Sequence, residues 1–270
     1  MKIAALVVTH NPDYRLLQSA NKLVNLVDII ILVDNNSSKR DVIEEIEITL
    51  PKENCTIINL TNNFGIAYAL NIGVRHVQSL VSYDYIITLD QDTILLVNDI
   101  KTIVERANKF QPHVGAIELP EKVYNDQREF VKIESSINSG KIVSMEASKL
   151  IKYREEFFLD QIDINFDVDL RRMGYTLVAY NVKCIDHKLG VKGKKRVFEP
   201  GYRLYYIIRN STVLLIEGKI GFNFYLRQIT NWTINLAKEQ GLYSVLKPLV
   251  FGFLDGLYKR LGKNSVFIPS

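Results

Sequence analysis

The chain has 270 residues, 47% of them hydrophobic and 24% charged, so it can bury a full core as one large domain or a domain with an appendage, and a disordered or fibrous chain is excluded. Two cysteines, Cys55 and Cys184, stand far apart without CxxC spacing, which argues against a disulfide framework or a zinc site and fits a reducing cytosol. The formal charge of +4 conceals an asymmetry: residues 1–187 carry 20 Lys and Arg against 26 Asp and Glu, while residues 188–270 carry 14 against 4. Such a basic segment calls either for an anionic partner or for a solvated basic face.

Residues 3–8 form an unbroken apolar run, too short for a signal-peptide core, and read as a first strand. Thr9-His10-Asn11-Pro12 follows, with Asn11 in the place of an N-cap and Pro12 in a first helical turn, before Leu16, Leu17, Ala20, Leu23 and Val24 recur at helical spacing. A second strand over residues 29–33 ends in the polar cluster Asp34-Asn35-Asn36-Ser37-Ser38. A mostly polar helix from Arg40, a third strand over residues 56–60 and a helix opened by Asn62-Asn63-Phe64-Gly65 come next.

The fourth strand, Tyr85-Ile86-Ile87-Thr88, runs into Leu89-Asp90-Gln91-Asp92-Thr93. Strand and helix alternate through four strands in under a hundred residues, which predicts a parallel sheet wound by crossover helices. In such sheets ligands bind at the carboxyl ends of the strands. Asp90 and Asp92, two positions apart on an extended chain, face the same way, so one could ligate a divalent cation and the other contact a nucleotide; the alternative is a solvated turn. Neither a GxGxxG loop nor a GxxxxGK[ST] loop is present, so phosphates bound here would need a cation instead of a glycine cradle.

Beyond Asp99 the pattern predicts a helix through Ile103, Val104 and Ala107, a buried strand at Val114-Gly115-Ala116-Ile117, and an irregular charged stretch over residues 120–135. Ser139-Gly140 turns into a short strand, followed by a helix from Met145. In the acidic run of residues 157–175, Ile162, Phe166, Leu170 and Met173 share a helical face; a helix beginning near Asp163 and closed by Gly174 accounts for this. Its carboxylates are also ordinary partners of a helix N-terminus. A strand over residues 176–180, the basic loop Lys192-Gly193-Lys194-Lys195-Arg196 and amphipathic helices from Gly201 complete the chain. The last apolar segment, residues 242–261, contains Pro248, Asp255 and three basic residues, and reads as packing or lying on a surface rather than crossing a bilayer.

Taken in order, Val7-Val8-Thr9-His10-Asn11, Val33-Asp34-Asn35-Asn36-Ser37, Asn63-Phe64-Gly65-Ile66-Ala67, Ala69-Leu70-Asn71-Ile72-Gly73, Leu89-Asp90-Gln91-Asp92-Thr93, Ser139-Gly140 and residues 160–174 resemble an inverting family two glycosyltransferase of the GT-A fold. The resemblance continues through His187-Lys188-Leu189-Gly190 and the run from Tyr202 to Asn210, and it is strongest to the bacterial rhamnosyltransferase-like branch. It implies an α/β, Rossmann-like, mostly parallel sheet flanked by helices, with a helical C-terminal extension. Residues 1–98 would form the nucleotide-sugar-binding half, 99–200 the acceptor-binding half of the same domain, and 201–270 the basic, aromatic-rich extension.

Carried over by position, the resemblance implies that Asp34 reads the nucleobase, Asp90 contacts the ribose and Asp92 holds a Mg2+ or Mn2+ ion on the diphosphate, with Thr9, Asn11, Asn63 and Gly65 in the same nucleotide site. His187 is a further candidate metal ligand. Counting back eleven residues from Gly174 gives Asp163 as general base, with Ile162 where the family's pair has Glu and with Asp160 and Asp167 as competitors. The implied donor is a dTDP- or UDP-linked sugar. The acceptor is a saccharide hydroxyl, on a polyprenyl diphosphate lipid if the basic tail docks on the inner face of the plasma membrane; otherwise the tail packs on the domain or forms a homodimer. A nucleotidyltransferase would want a Gly-rich basic loop after the first strand; a silent nucleotide- or sugar-binding subunit is the rival from outside the enzymes. Nucleic-acid binding has only the lone patch over residues 192–196 in its favour.

Overall fold

The structure, a computed structural model, describes residues 1–80, 82–111, 113–187, 191–192, 195–196 and 201–267, the backbone alone at 191, 192, 195 and 196. Residues 188–190 of the predicted motif and residues 193–194 of the basic loop lie outside the described residues. The chain divides into two compact units: Met1–Asn63, Tyr68–Tyr153 and Phe166–Lys188 form one, and Phe64–Ala67, Arg154–Asn165 and Leu189–Ser270 form the other.

In the first unit the predicted alternation is realised as β1 (Ile3–Thr9), α1 (Arg15–Leu23), β2 (Ile29–Asp34), α2 (Asp41–Thr49), β3 (Cys55–Asn59), α3 (Ile66–Ser79) and β4 (Tyr85–Asp90). There follow β5 (Thr93–Leu95), α4 (Ile100–Phe110), β6 (Val114–Glu118), β7 (Phe130–Lys132), β8 (Lys141–Ser144), α5 (Met145–Leu150), α6 (Ile162–Arg172), whose residues 162–165 fall in the second unit, β9 (Thr176–Tyr180) and β10 (Ile185–His187). Eight strands make one sheet in the order β3-β2-β1-β4-β8-β6-β9-β7. Four of its pairings are parallel, and those of β8 with β4 and β6 and of β7 with β9 are antiparallel. β1 and β2 are buried at every residue, which explains their apolar runs up to the closing Thr9 and Asp34 and the lack of a polar alternation in either strand. α3 lies close over β1 because Gly73 has no Cβ; one built there would overlap the Leu6 side chain.

Three sequence expectations are corrected. Asn11 is not an N-cap: α1 starts at Arg15, and Asn11 sits at φ 51° in the preceding loop, its Oδ1 accepting from the Ser38 and Lys39 amides and the Ser38 hydroxyl. Met173 lies beyond the end of α6 and is exposed, whereas Ile162, Phe166 and Leu170 are buried. The stretch over residues 120–135 is not wholly irregular, since Phe130–Lys132 forms β7.

One ion pair is enclosed in the first unit. The Lys141 ammonium, on β8, lies 2.6 Å from Asp167 on α6, and both side chains are wholly buried. The second Asp167 oxygen accepts the Ser136 amide at 2.7 Å.

The second unit is built on α7 (Gly201–Ile216), α8 (Phe222–Gln240) and α9 (Tyr243–Leu257), with the short pair β11 (Val191–Lys192) and β12 (Lys195–Arg196). Leu204, Ile208, Leu236 and Val245 form an apolar cluster among the three helices. α7 and α9 approach almost to backbone contact at Gly252 and Gly256, where a Cβ would stand 2.8 Å from the Tyr205 carbonyl and 2.6 Å from the Arg209 carbonyl. The Arg209 guanidinium, wholly buried, donates to the carbonyls of Phe157 and Gly262. No helix among the described residues is long and apolar enough to cross a membrane, as the sequence implied.

The enclosed pair makes an asymmetric prediction. Asp167→Asn should destabilise the fold by roughly 3–5 kcal/mol, since it strands the Lys141 charge, while Lys141→Met with Asp167→Leu should restore most of that loss. Urea unfolding of the wild type and both variants measures the difference.

Candidate active site

Parallel pairing sets the site. In register, Thr9 lies opposite Asp34, Val8 opposite Asp90 and Asp34 opposite Asn59, so β1, β2 and β4 deliver these residues side by side at the carboxyl end of the sheet. After Asp90 the chain turns and enters β5, which pairs antiparallel with β10 so that Thr93 faces His187. That pairing brings His187 to the two aspartates: its Nε2 lies 3.1 Å from Asp92 Oδ1 and 3.5 Å from Asp90 Oδ2. The three groups offer ligand atoms all within 4.8 Å of one another.

Two carboxylate oxygens suit Mn2+ or Mg2+ and an imidazole nitrogen suits first-row transition ions, so the donor set fits a divalent cation. Two anions beside a nearly buried imidazole supply the attraction that a dication needs. Burial disfavours charge on His187, but the hydrogen bond and charge of Asp92, with Asp90 and Glu121 adding to them, outweigh it and hold its pKa above the usual histidine value. The pocket thus already draws positive charge.

Side chains to which the sequence reading gave no bracing role hold this cluster in place. Gln91 Oε1 accepts from the Thr9 hydroxyl at 2.8 Å and the His10 amide at 2.7 Å, and its Nε2 donates to the His10 carbonyl at 3.2 Å, tying the Asp-Gln-Asp turn to the end of β1. Arg15, nearly buried on α1, donates through Nε to the Asp92 carbonyl and through Nη2 to both the backbone carbonyl (2.7 Å) and the carboxylate (2.6 Å) of Asp186. It therefore clamps β10 to the turn beyond β4. The Ser139 hydroxyl accepts the Asp90 amide at 3.1 Å and meets the Thr93 hydroxyl at 2.7 Å. Gly140, at φ 84°, allows the approach; a Cβ there would stand 2.6 Å from the Leu119 carbonyl.

The other expected nucleotide residues occupy distinct positions. Asp34 is wholly buried, one oxygen accepting the Ser37 amide and the other 2.7 Å from Arg40 Nη1. Arg40 also donates to Asn59 Oδ1 at 3.0 Å and is itself partly exposed, so it screens Asp34 from solvent. Thr9 spends its hydroxyl on Gln91, and Asn11 braces the loop after β2, so both shape the rim through the backbone. Asn63 accepts from the Asn35 amide nitrogen at 3.0 Å.

Gly65 and Asp163 belong to the second unit. Gly65, at φ 92°, packs on Phe158, whose carbonyl a Cβ would meet at 2.5 Å and which also accepts the Ile66 amide. Asp163 is half-buried in the first turn of α6, its Oδ1 accepting the Ile164 amide at 2.9 Å. Its competitors are committed elsewhere: Asp160 is gripped by the Arg203 guanidinium, and Asp167 is sealed with Lys141.

Several solved structures share this architecture. S. aureus TarS 1–349 superposes with a TM-score of 0.56 at 15% identity, covering 96% of this chain and 82% of that one. The mannosyltransferase PcManGT from Pyrobaculum calidifontis, in complex with GDP-Man and Mn2+, gives 0.63 at 13% identity over 96% and 88%. GalNAc-T7 with UDP, GalNAc and Mn2+ gives 0.58 at 11% identity over 92% and 59%. The fold is thus that of the GT-A glycosyltransferases, a mixed α/β sheet flanked by helices with a helical C-terminal segment. The model of glycosyl transferase family 2 matches residues 5–169, more than half of the chain, and the chain belongs to that family. No curated protein matches it in sequence.

Arg15→Met keeps the apolar stem and removes the donors on Asp92 and Asp186. A loss of about 1–3 kcal/mol, the cost of leaving such acceptors unsatisfied, should appear in thermal or urea unfolding.

Proposed function

We propose that this protein transfers a sugar, with inversion, from a nucleoside-diphosphate sugar to a hydroxyl of a saccharide acceptor. The observation that carries the reading is the meeting of Asp90, Asp92 and His187 at the end of β4. Those three residues would hold the divalent cation, which when bound supplies positive charge beside the diphosphate leaving group. Asp34 and Asp90 orient the nucleoside, Asp34 by exchanging Arg40 for the base.

Asp163 takes the proton of the acceptor hydroxyl as that oxygen attacks the anomeric carbon from the face opposite the leaving group. A first helical turn is a favourable place for the negative charge of such a base. A single displacement by this route inverts the anomeric configuration. Residues 1–98 together with His187 act on the donor, and the remainder of 99–200 on the acceptor. The GDP-Man complex of PcManGT and a UDP-GlcNAc complex of S. aureus TarS 1–349 support a nucleotide-sugar donor, and the sequence resemblance favours dTDP-rhamnose among such donors.

The acceptor in this reading is lipid-linked, in cell-surface polysaccharide synthesis, and the enzyme works in the cytoplasm against the inner membrane face. Residues 201–270 support it with nine Lys and Arg against three acidic residues, and with Phe222, Leu246, Val250, Phe253 and Leu257 exposed.

Two measurements test the chemistry. A panel of nucleoside diphosphates should raise the melting temperature in the presence of Mn2+, with dTDP or UDP giving the largest rise and Asp92→Asn abolishing it; indifference to every nucleotide would favour a silent binding subunit. Asp163→Asn should leave nucleotide binding intact and lower kcat by about 10²–10⁴, measured by product formation.

A further inference from the structure

The second unit contains a cavity of about 480 Å³ that the proposed transfer chemistry does not use. Lys247, Arg260 and Lys263 line it together with Phe251, Phe267 and the buried Arg209. Its carboxylate, Asp255, is already engaged: Oδ2 accepts the Tyr205 hydroxyl at 2.8 Å and the Asn264 amide nitrogen at 3.4 Å, and Oδ1 lies 3.7 Å from Arg260 Nη1. Lys247 and Lys263 instead stand over aromatic rings, 5.7 Å from Phe267 and 5.8 Å from Phe158, and among the described residues neither has a carboxylate within ion-pair distance. Four cations against one carboxylate leave a positive potential in a recess, which attracts an anion.

The apolar surroundings narrow the choice of anion. Phe267 stacks on Tyr205 with ring centroids 4.2 Å apart and forms one wall. Phe251, at the rim, is itself exposed on α9, as are Leu254 three residues on and the stripe Leu246, Val250, Phe253 and Leu257. A free phosphate or a nucleotide would leave that continuous apolar surface in water. A phosphate carried on a hydrocarbon chain covers both.

We infer that this cavity binds the phosphate group of an anionic lipid, with Lys247 and Lys263 on the phosphate oxygens and the lipid chain along the exposed face of α9. As an acceptor-lipid site it rests on the lipid-linked reading above.

The test is flotation of the full chain with phosphatidylcholine vesicles, plain or doped with a polyprenyl monophosphate. The wild type should float with the doped vesicles only, and Lys247→Glu with Lys263→Glu should weaken that binding by more than about tenfold. Lys238→Glu, on α8 outside the cavity, should float like the wild type. The milder pair Lys247→Gln with Lys263→Gln, expected to show an intermediate loss, serves if charge reversal prevents folding. Equal flotation of wild type and cavity variants, an equal loss in Lys238→Glu, or inorganic phosphate held as tightly as the lipid would each overturn the inference. The nucleotide melting panel separates it from the transfer reading: flotation that depends on Lys247 and Lys263 supports the cavity even where no nucleotide stabilises the protein.

Discussion

Three-residue strands rarely decide anything, yet the antiparallel pairing of Thr93–Leu95 with Ile185–His187 makes the cluster at the carboxyl end of β4. Asp90 and Asp92 come from the end of one strand; the histidine comes from almost a hundred residues further on. Two backbone ladders therefore set the separation of the three ligand atoms before any side chain adjusts. Arg15 reinforces the arrangement by holding the Asp92 carbonyl and both acceptors of Asp186 at once, so the turn and the returning strand move as one piece. Such bracing matters because side chains positioned by packed neighbours would need little reorganisation to hold a cation.

The molecule tolerates charge in its interior where each group is answered. Lys141 and Asp167 neutralise one another in the first unit, Asp34 is answered by Arg40, and Arg209 by main-chain carbonyls in the second. These pairings also sort the acidic residues by role. A carboxylate clasped by a guanidinium, as Asp160 is by Arg203, or by an enclosed ammonium, as Asp167 is by Lys141, is costly to recruit as a proton acceptor.

Most of the sheet was legible because its strands are long, apolar and separated by periodic helices: β4 and β9 fall where their β-branched runs predict. The carboxylates at the end of β4 were legible for the same reason, since the strand's end fixes where its next residues point. β5 and β10 were not, as three residues carry no period, and so the approach of His187 to Asp92 rested on family resemblance alone. Asn11 misled because the residue types that cap helices also stabilise left-handed loop conformations; only its contacts with residues 38 and 39 distinguish the two. The bracing by Gln91 and Arg15 was not legible, because their partners, main-chain and side-chain alike, lie at distant positions in the sequence.

The two glycines at which α7 and α9 nearly touch divide the last helix into two surfaces with opposite freedom. On the inner side only a hydrogen atom fits, so any larger residue must push the helices apart and open the core beneath. On the outer side the bulky residues touch no such seam and can be exchanged without disturbing it. Reshaping what this helix meets, while preserving how it is held, is therefore a matter of redesigning one face and leaving Gly252 and Gly256 untouched.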